Sequence, residues 1–147
     1  MKAFADTSFV ISAFVQDEFN GSVWRWWKRH SMASVLITPL VLFEAENSIR
    51  GFPVAGKCTP DEARSALQGI KRGLLEGLFI CQSIPAKRLF PQATRLSLHH
   101  TPSTTFGAMD VLHVASAMEF GADTFLTFDK RQGEMAAAEG LKVKPFH

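Results

Sequence analysis

The chain has 147 residues, 46% of them hydrophobic and 20% charged, which excludes a disordered chain and suits one domain with a sizeable core. Sixteen Lys and Arg stand against 14 Asp and Glu, a formal charge of +2. No overall field therefore selects a nucleic acid or a membrane, and the positions of the charges carry the information.

In chain order, short apolar runs alternate with longer amphipathic segments. Residues 2–5 read as a strand and 8–15 as a short helix. A helix follows over 21–31 and a strand over 34–37. Thr38 caps a helix over 39–50, with Pro39 at its first position. The next start is marked more strongly: Thr59 caps, Pro60 follows and Glu62 completes a capping box for a helix over 60–76. A strand over 78–82 and a helix over 86–99 come next. Gly121 closes a helix over 108–120, and residues 124–128 form a strand. Gly140 closes a helix over 130–139, before a last strand over 141–144.

Strands alternating with helices predict an α/β fold, a three-layer α/β/α sandwich around a parallel sheet of five strands, as one domain over 1–147. In such sheets ligands bind beyond the carboxyl ends of the strands, where the strand order reverses. Carboxylates occupy those places. Asp6 ends the first strand and Asp129 the fourth, Asp110 opens the 108–120 helix, and Glu44 lies in the helix after the second strand. The 108–120 helix is apolar nearly all round and reads as buried, with Asp110 pointing the same way as His113, Val114 and Ala117. Glu44 shares a face with Asn47 and Ser48, whereas Glu46 points away and can pair with Arg50.

Taken singly, each acid has an ordinary structural explanation. An Asp at a strand end caps a helix or forms a turn, and Asp110 near a helix start favours the dipole. The combination points further. Two like charges about 4 Å apart repel by roughly 4 kcal/mol at an effective dielectric of about 20. Acids that meet need a cation or raised pKa values, and an all-oxygen ligand set suits Mg²⁺ or Mn²⁺ rather than zinc.

Four segments resemble the four blocks of the PIN domain family, in order and in spacing. They are Phe4-Ala5-Asp6-Thr7-Ser8, Val41-Leu42-Phe43-Glu44-Ala45-Glu46-Asn47, Asp110-Val111-Leu112-His113-Val114-Ala115-Ser116-Ala117 and Phe125-Leu126-Thr127-Phe128-Asp129-Lys130-Arg131. Among small PIN proteins the chain looks most like the VapC toxins of toxin–antitoxin pairs. The resemblance implies a Mg²⁺- or Mn²⁺-dependent endoribonuclease acting on RNA, with Asp6, Glu44, Asp110 and Asp129 as catalytic and metal-binding acids. It implies supporting hydrogen bonds from Thr127, from Thr7 or Ser8, and from Asn47. His113, three residues from Asp110, can bond a site carboxylate or be satisfied within the core. A homodimer is also implied, as is an antitoxin partner that inserts a basic side chain among the acids. A housekeeping RNA-processing nuclease and a non-catalytic binding module are the rival readings. A haloacid-dehalogenase-type phosphohydrolase needs Asp-x-Asp after the first strand, and Ser8 stands there instead.

Other features have plainer explanations. In residues 19–30, Phe19, Val23, Trp26, Trp27 and His30 share one helical face and Arg25, Lys28 and Arg29 the other, so the aromatics read as core, with Trp24 at the border and open to a partner contact. Residues 51–58 approach a phosphate-binding loop but follow a helix and end in Cys58, so they read as a connection. His99 and His100 match no zinc spacing. Arg64, Gln68 and Lys71 form one polar stripe, and Arg88 and Arg95 another. Two cysteines, Cys58 and Cys81, are too few for a disulfide framework. No apolar run approaches the roughly 18 residues of a membrane span, and residues 1–6 turn acidic too soon for a signal peptide. A cytoplasmic protein with reduced thiols is therefore expected.

Overall fold

Runs of apolar residues too short for a helix become strands when both their faces can be covered. In a computed structural model that describes residues 1–144, five three-residue strands do so: β1 (Ala3–Ala5), β2 (Val35–Ile37), β3 (Phe79–Cys81), β4 (Thr124–Leu126) and β5 (Lys142–Lys144). The last three residues of the expected 1–147 domain lie outside the described part. Every residue of β1, β2 and β4 is buried, as central strands require. Between the strands lie α1 (Thr7–Phe14), α2 (Asn20–Arg29), α3 (Pro39–Gly51), α4 (Pro60–Leu75), α5 (Ala86–His100), α6 (Ala108–Glu119) and α7 (Lys130–Ala138).

The sheet is wholly parallel, in the order β3-β2-β1-β4-β5. From β1 the chain steps outward to β2 and β3, then returns to the other side of β1 with β4 and β5. Right-handed crossovers made in opposite directions put their helices on opposite faces. In agreement, α1 packs on α2, α3 and α4, while α6 packs on α5 and α7. The order reverses between β1 and β4, whose register pairs Ala5 with Leu126. Asp6 and Thr127 therefore leave the sheet side by side.

The core is strongly aromatic. Phe4 stacks on Phe125 at 5.9 Å, and buried Trp27 meets Phe9 at 5.4 Å and Phe79 at 5.4 Å. Its indole N–H donates to the Ala33 carbonyl at 3.0 Å. Trp24, at the border of the aromatic face of α2, donates to the Ala13 carbonyl at 2.9 Å and lies against Trp27 and Phe14. Gly69 lets α4 approach α1, since a Cβ there would lie 2.4 Å from the Phe14 ring. Residues 52–58 are a turn-rich connection between α3 and α4. Among the described residues, no helix is long and apolar enough to cross a membrane.

The element ends differ from expectation in one instructive way. The fourth strand stops at Leu126 rather than continuing to 128, and the first helix begins at Thr7 rather than Ser8. The polar side chains of Asp6, Ser8 and Thr127 bond one another at these ends.

Candidate active site

Asp6 is fully buried at the carboxyl end of β1. It caps α1, its Oδ1 accepting from the Phe9 backbone N–H at 3.1 Å and from Ser8 Oγ at 2.6 Å. Its Oδ2 accepts from Thr127 Oγ1 at 2.6 Å. Burial raises the Asp6 pKa above the ordinary value, and these donors oppose that rise. The supports are themselves fixed. Ser8 Oγ accepts from the Phe128 N–H at 2.9 Å, and Thr127 Oγ1 from the Asp129 N–H at 2.9 Å. The ends of β1 and β4 are thereby tied together around one carboxylate, with both Ser8 and Thr127 in the expected supporting positions.

Glu44, on α3, is held through a single oxygen. Oε1 accepts from Thr7 Oγ1 and from His113 Nε2, the latter at 3.0 Å. A carboxylate needs a donor, so the imidazole carries its proton on Nε2, leaving Nδ1 buried without a partner among the described residues. His113 is 1% exposed. Its hydrogen bond is the main reason that the Glu44 pKa lies below the ordinary value; partial burial raises it, and the Thr7 hydroxyl lowers it again.

Asp110 stands in the first turn of α6 and is half-buried. Its Oδ1 accepts from Gln132 Nε2 at 3.0 Å. Asp129 caps α7, its Oδ1 accepting from the backbone N–H of the same Gln132 at 3.0 Å. One buried glutamine thus joins two acids. Asp110 is raised above its ordinary pKa, first by burial, then by the Asp129 charge; Glu44 raises it further, while His113 and Arg131 pull it down. The acids therefore feel one another's fields.

Of the expected supporting residues, Thr7, Ser8, Thr127 and His113 bond the acids, Asn47 does not, and Gln132 does so in addition. Asn47 lies one turn beyond Glu44, further from the carboxyl end of β2, and is exposed with no side-chain hydrogen bond among the described residues. Gln132 is the addition. Its signal in the sequence was its place three residues after Asp129, the spacing of a capping box. Glu46 is the bystander expected, paired with Arg50 at 3.4 Å.

The donor set can be tested against a divalent cation. Glu44, Asp110 and Asp129 are each held by one oxygen and leave the other without a hydrogen bond among the described residues. No Lys or Arg ion-pairs with any of the four acids in that part. Open oxygens without a cation suit a hard ion such as Mg²⁺, which needs only one or two carboxylates and keeps several waters. The one group of three His, Cys, Asp or Glu ligands within 4.8 Å of each other among the described residues is elsewhere: His99, His100 and Glu139. The four acids thus stand further apart than a closed coordination shell, with Gln132 between two of them. The Glu139 group already has its cation, since Arg95 contacts Oε1 at 2.6 Å while His100 meets Oε2 at 3.3 Å.

Known proteins agree with this architecture. The toxin VapC20 of Mycobacterium tuberculosis, described as cleaving the sarcin–ricin loop, is 22% identical over 98% of this chain and 100% of its own, with a TM-score of 0.68. VapBC2 from Rickettsia felis, solved on a promoter DNA fragment, matches at 16% identity over 99% and 98%, with a TM-score of 0.69. FitAcB from Neisseria gonorrhoeae matches at 16% over 99% of each chain, with a TM-score of 0.66. At these identities the likeness is one of fold. No curated protein matches the sequence significantly. The profile of the PIN domain matches residues 3–138, nearly the whole chain, and the chain belongs to the PIN domain family.

Proposed function

We propose that this chain is a divalent-metal-dependent endoribonuclease and the toxin of a toxin–antitoxin pair. The observation that carries the reading is the acid group itself. Four carboxylates from four segments lie about the reversal of strand order, and among the described residues three keep an oxygen without a hydrogen bond and none ion-pairs with Lys or Arg. Asp6, Glu44, Asp110 and Asp129 would hold Mg²⁺ or Mn²⁺. Such an ion polarises a phosphate oxygen and lowers the pKa of a water, which is the chemistry that phosphodiester hydrolysis needs.

The chain's own residues supply pre-organisation. Ser8, Thr127 and the Phe9 N–H fix the Asp6 carboxylate in one orientation. His113 and Thr7 fix Glu44 so that its second oxygen faces away from them. Gln132 sets the separation of Asp110 and Asp129. A site held in this way reorganises little when charge develops on the phosphate. VapC20, VapBC2 and FitAcB support the toxin assignment and an antitoxin partner, whose basic side chain would enter the same acid group. A homodimer belongs to the same reading.

The test is cleavage of total cellular RNA by the purified protein, with Mg²⁺, with Mn²⁺ and with EDTA, beside Asp6→Asn. The reading predicts discrete fragments that need metal and disappear in the variant. Equal cleavage by Asp6→Asn, or cleavage that persists in EDTA, would contradict it.

A further inference from the structure

Four of the eight arginines pair with an acid: Arg50 with Glu46, Arg64 with Asp61, Arg88 with Glu119 and Arg95 with Glu139. Arg131 differs. It is exposed, two residues after Asp129, and makes no hydrogen bond or ion pair with any described residue. Its guanidinium lies 5.4 Å from the centre of the Phe106 ring. Phe106 is half-buried and packs against the core, so it is an anchored seat. It immediately precedes Gly107, the residue that caps α6 and whose Cβ position would lie 3.6 Å from Asp110 Oδ2. The pair therefore stands at the rim of the acid group, between Asp110 and Asp129.

The local helix chemistry gives no reason for this placement. α7 carries Lys130 and Arg131 in its first turn and no basic residue in its last. The positive end of the dipole disfavours cations there. An arginine kept off the neighbouring carboxylates by an aromatic seat, with its donors free, is suited to an oxyanion that arrives from outside and can accept two parallel N–H bonds.

We propose that Arg131, seated on Phe106, binds a backbone phosphate of the RNA strand beside the one that is cut. Arg131 is the contact residue and Phe106 its positioning residue. The inference rests on the nuclease reading above for the identity of the strand. It adds the contact that aligns the strand across the acids.

The test is a fluorescence-anisotropy titration of the full chain with a short labelled single-stranded RNA of mixed sequence. Calcium replaces magnesium so that the strand stays whole, and potassium chloride is varied. Wild type, Arg131→Ala, Arg131→Lys, Phe106→Leu, the double variant and Lys130→Ala are compared. Losing a charge-assisted bond to phosphate should weaken binding about tenfold or more in Arg131→Ala. The slope of log affinity against log salt should fall by about 0.7, one single-strand phosphate contact. Arg131→Lys should keep the slope with part of the affinity. Phe106→Leu should weaken binding a few-fold with the slope unchanged, and add nothing to Arg131→Ala in the double variant. Wild-type affinity and slope in Arg131→Ala, or an equal loss in Lys130→Ala, would overturn the proposal alone. A wild-type protein that binds no RNA, or binds DNA of the same sequence equally well, would overturn the RNA reading beneath it.

Discussion

Two carboxylate centres in this molecule use the same chemical group for opposite ends. Glu139, at the end of α7, has both oxygens engaged, one by Arg95 and one by His100. Burial works to raise its pKa, but those neighbours win and hold it below the ordinary value. Asp110, at the start of α6, is met among the described residues only by the neutral amide of Gln132, and burial, then the fields of Asp129 and Glu44, raise its pKa. The first is a finished ion pair that fastens α5 to the end of α7. The second is an anionic group left short of positive charge. Only a centre of the second kind gains from a cation, and charge deficit rather than acid count marks it.

The largest effect that would sharpen this contrast is on cleavage. Asp110→Asn should reduce RNA cleavage to background, as Asp6→Asn should, while Glu139→Gln should leave the rate unchanged. Equal losses in Asp110→Asn and Glu139→Gln would erase the distinction.

Next in size is stabilisation by metal. A ligand of the native state present at 100 times its Kd stabilises by about 2.7 kcal/mol. Saturating Mn²⁺ should therefore raise the melting temperature of the wild type and of Glu139→Gln, and of Asp110→Asn far less. Gln132→Leu should lose about 1 kcal/mol without metal, since its side-chain bond to Asp110 goes, while its backbone bond to Asp129 stays.

The two centres should also titrate in opposite senses. A group whose folded pKa is raised, such as Asp110, favours the folded state below its ordinary value and loses that contribution as pH rises through the raised one. Glu139 is lowered, so its contribution is present above the ordinary value and is lost as pH falls through the folded one. Without metal, Asp110→Asn should be more stable than the wild type at neutral pH, and the difference should close as the solution is acidified through the raised Asp110 pKa. Glu139→Gln should be less stable at neutral pH by no more than about 1 kcal/mol, because Arg95 is half exposed. Thermal melts across pH read both.

Much of this was legible in the sequence, for physical reasons that differ by region. Thr59-Pro60 with Glu62 announces the start of α4 because the cap is a local chemical unit, and the box forms as read. The aromatic face of α2 is legible because helical periodicity sorts Val23, Trp26 and Trp27 inward. The acids are legible because charge does not enter an apolar helix or a central strand without cause. Gln132 was legible only by its spacing from Asp129; its burial was not, since a glutamine on a short helix reads as solvated and only α7 docking against α6 buries it. Asn47 shares a helical face with Glu44, but a face says nothing of which turn bonds the acids, and in the structure Asn47 is exposed.

The most direct test of the account is a calorimetric titration of Mn²⁺ into metal-free wild type, Asp110→Asn and Glu139→Gln. The account predicts saturable binding in the wild type and in Glu139→Gln with matching affinity, and none in Asp110→Asn. Binding that survives Asp110→Asn and is lost in Glu139→Gln would place the cation at the His99, His100 and Glu139 group and contradict it.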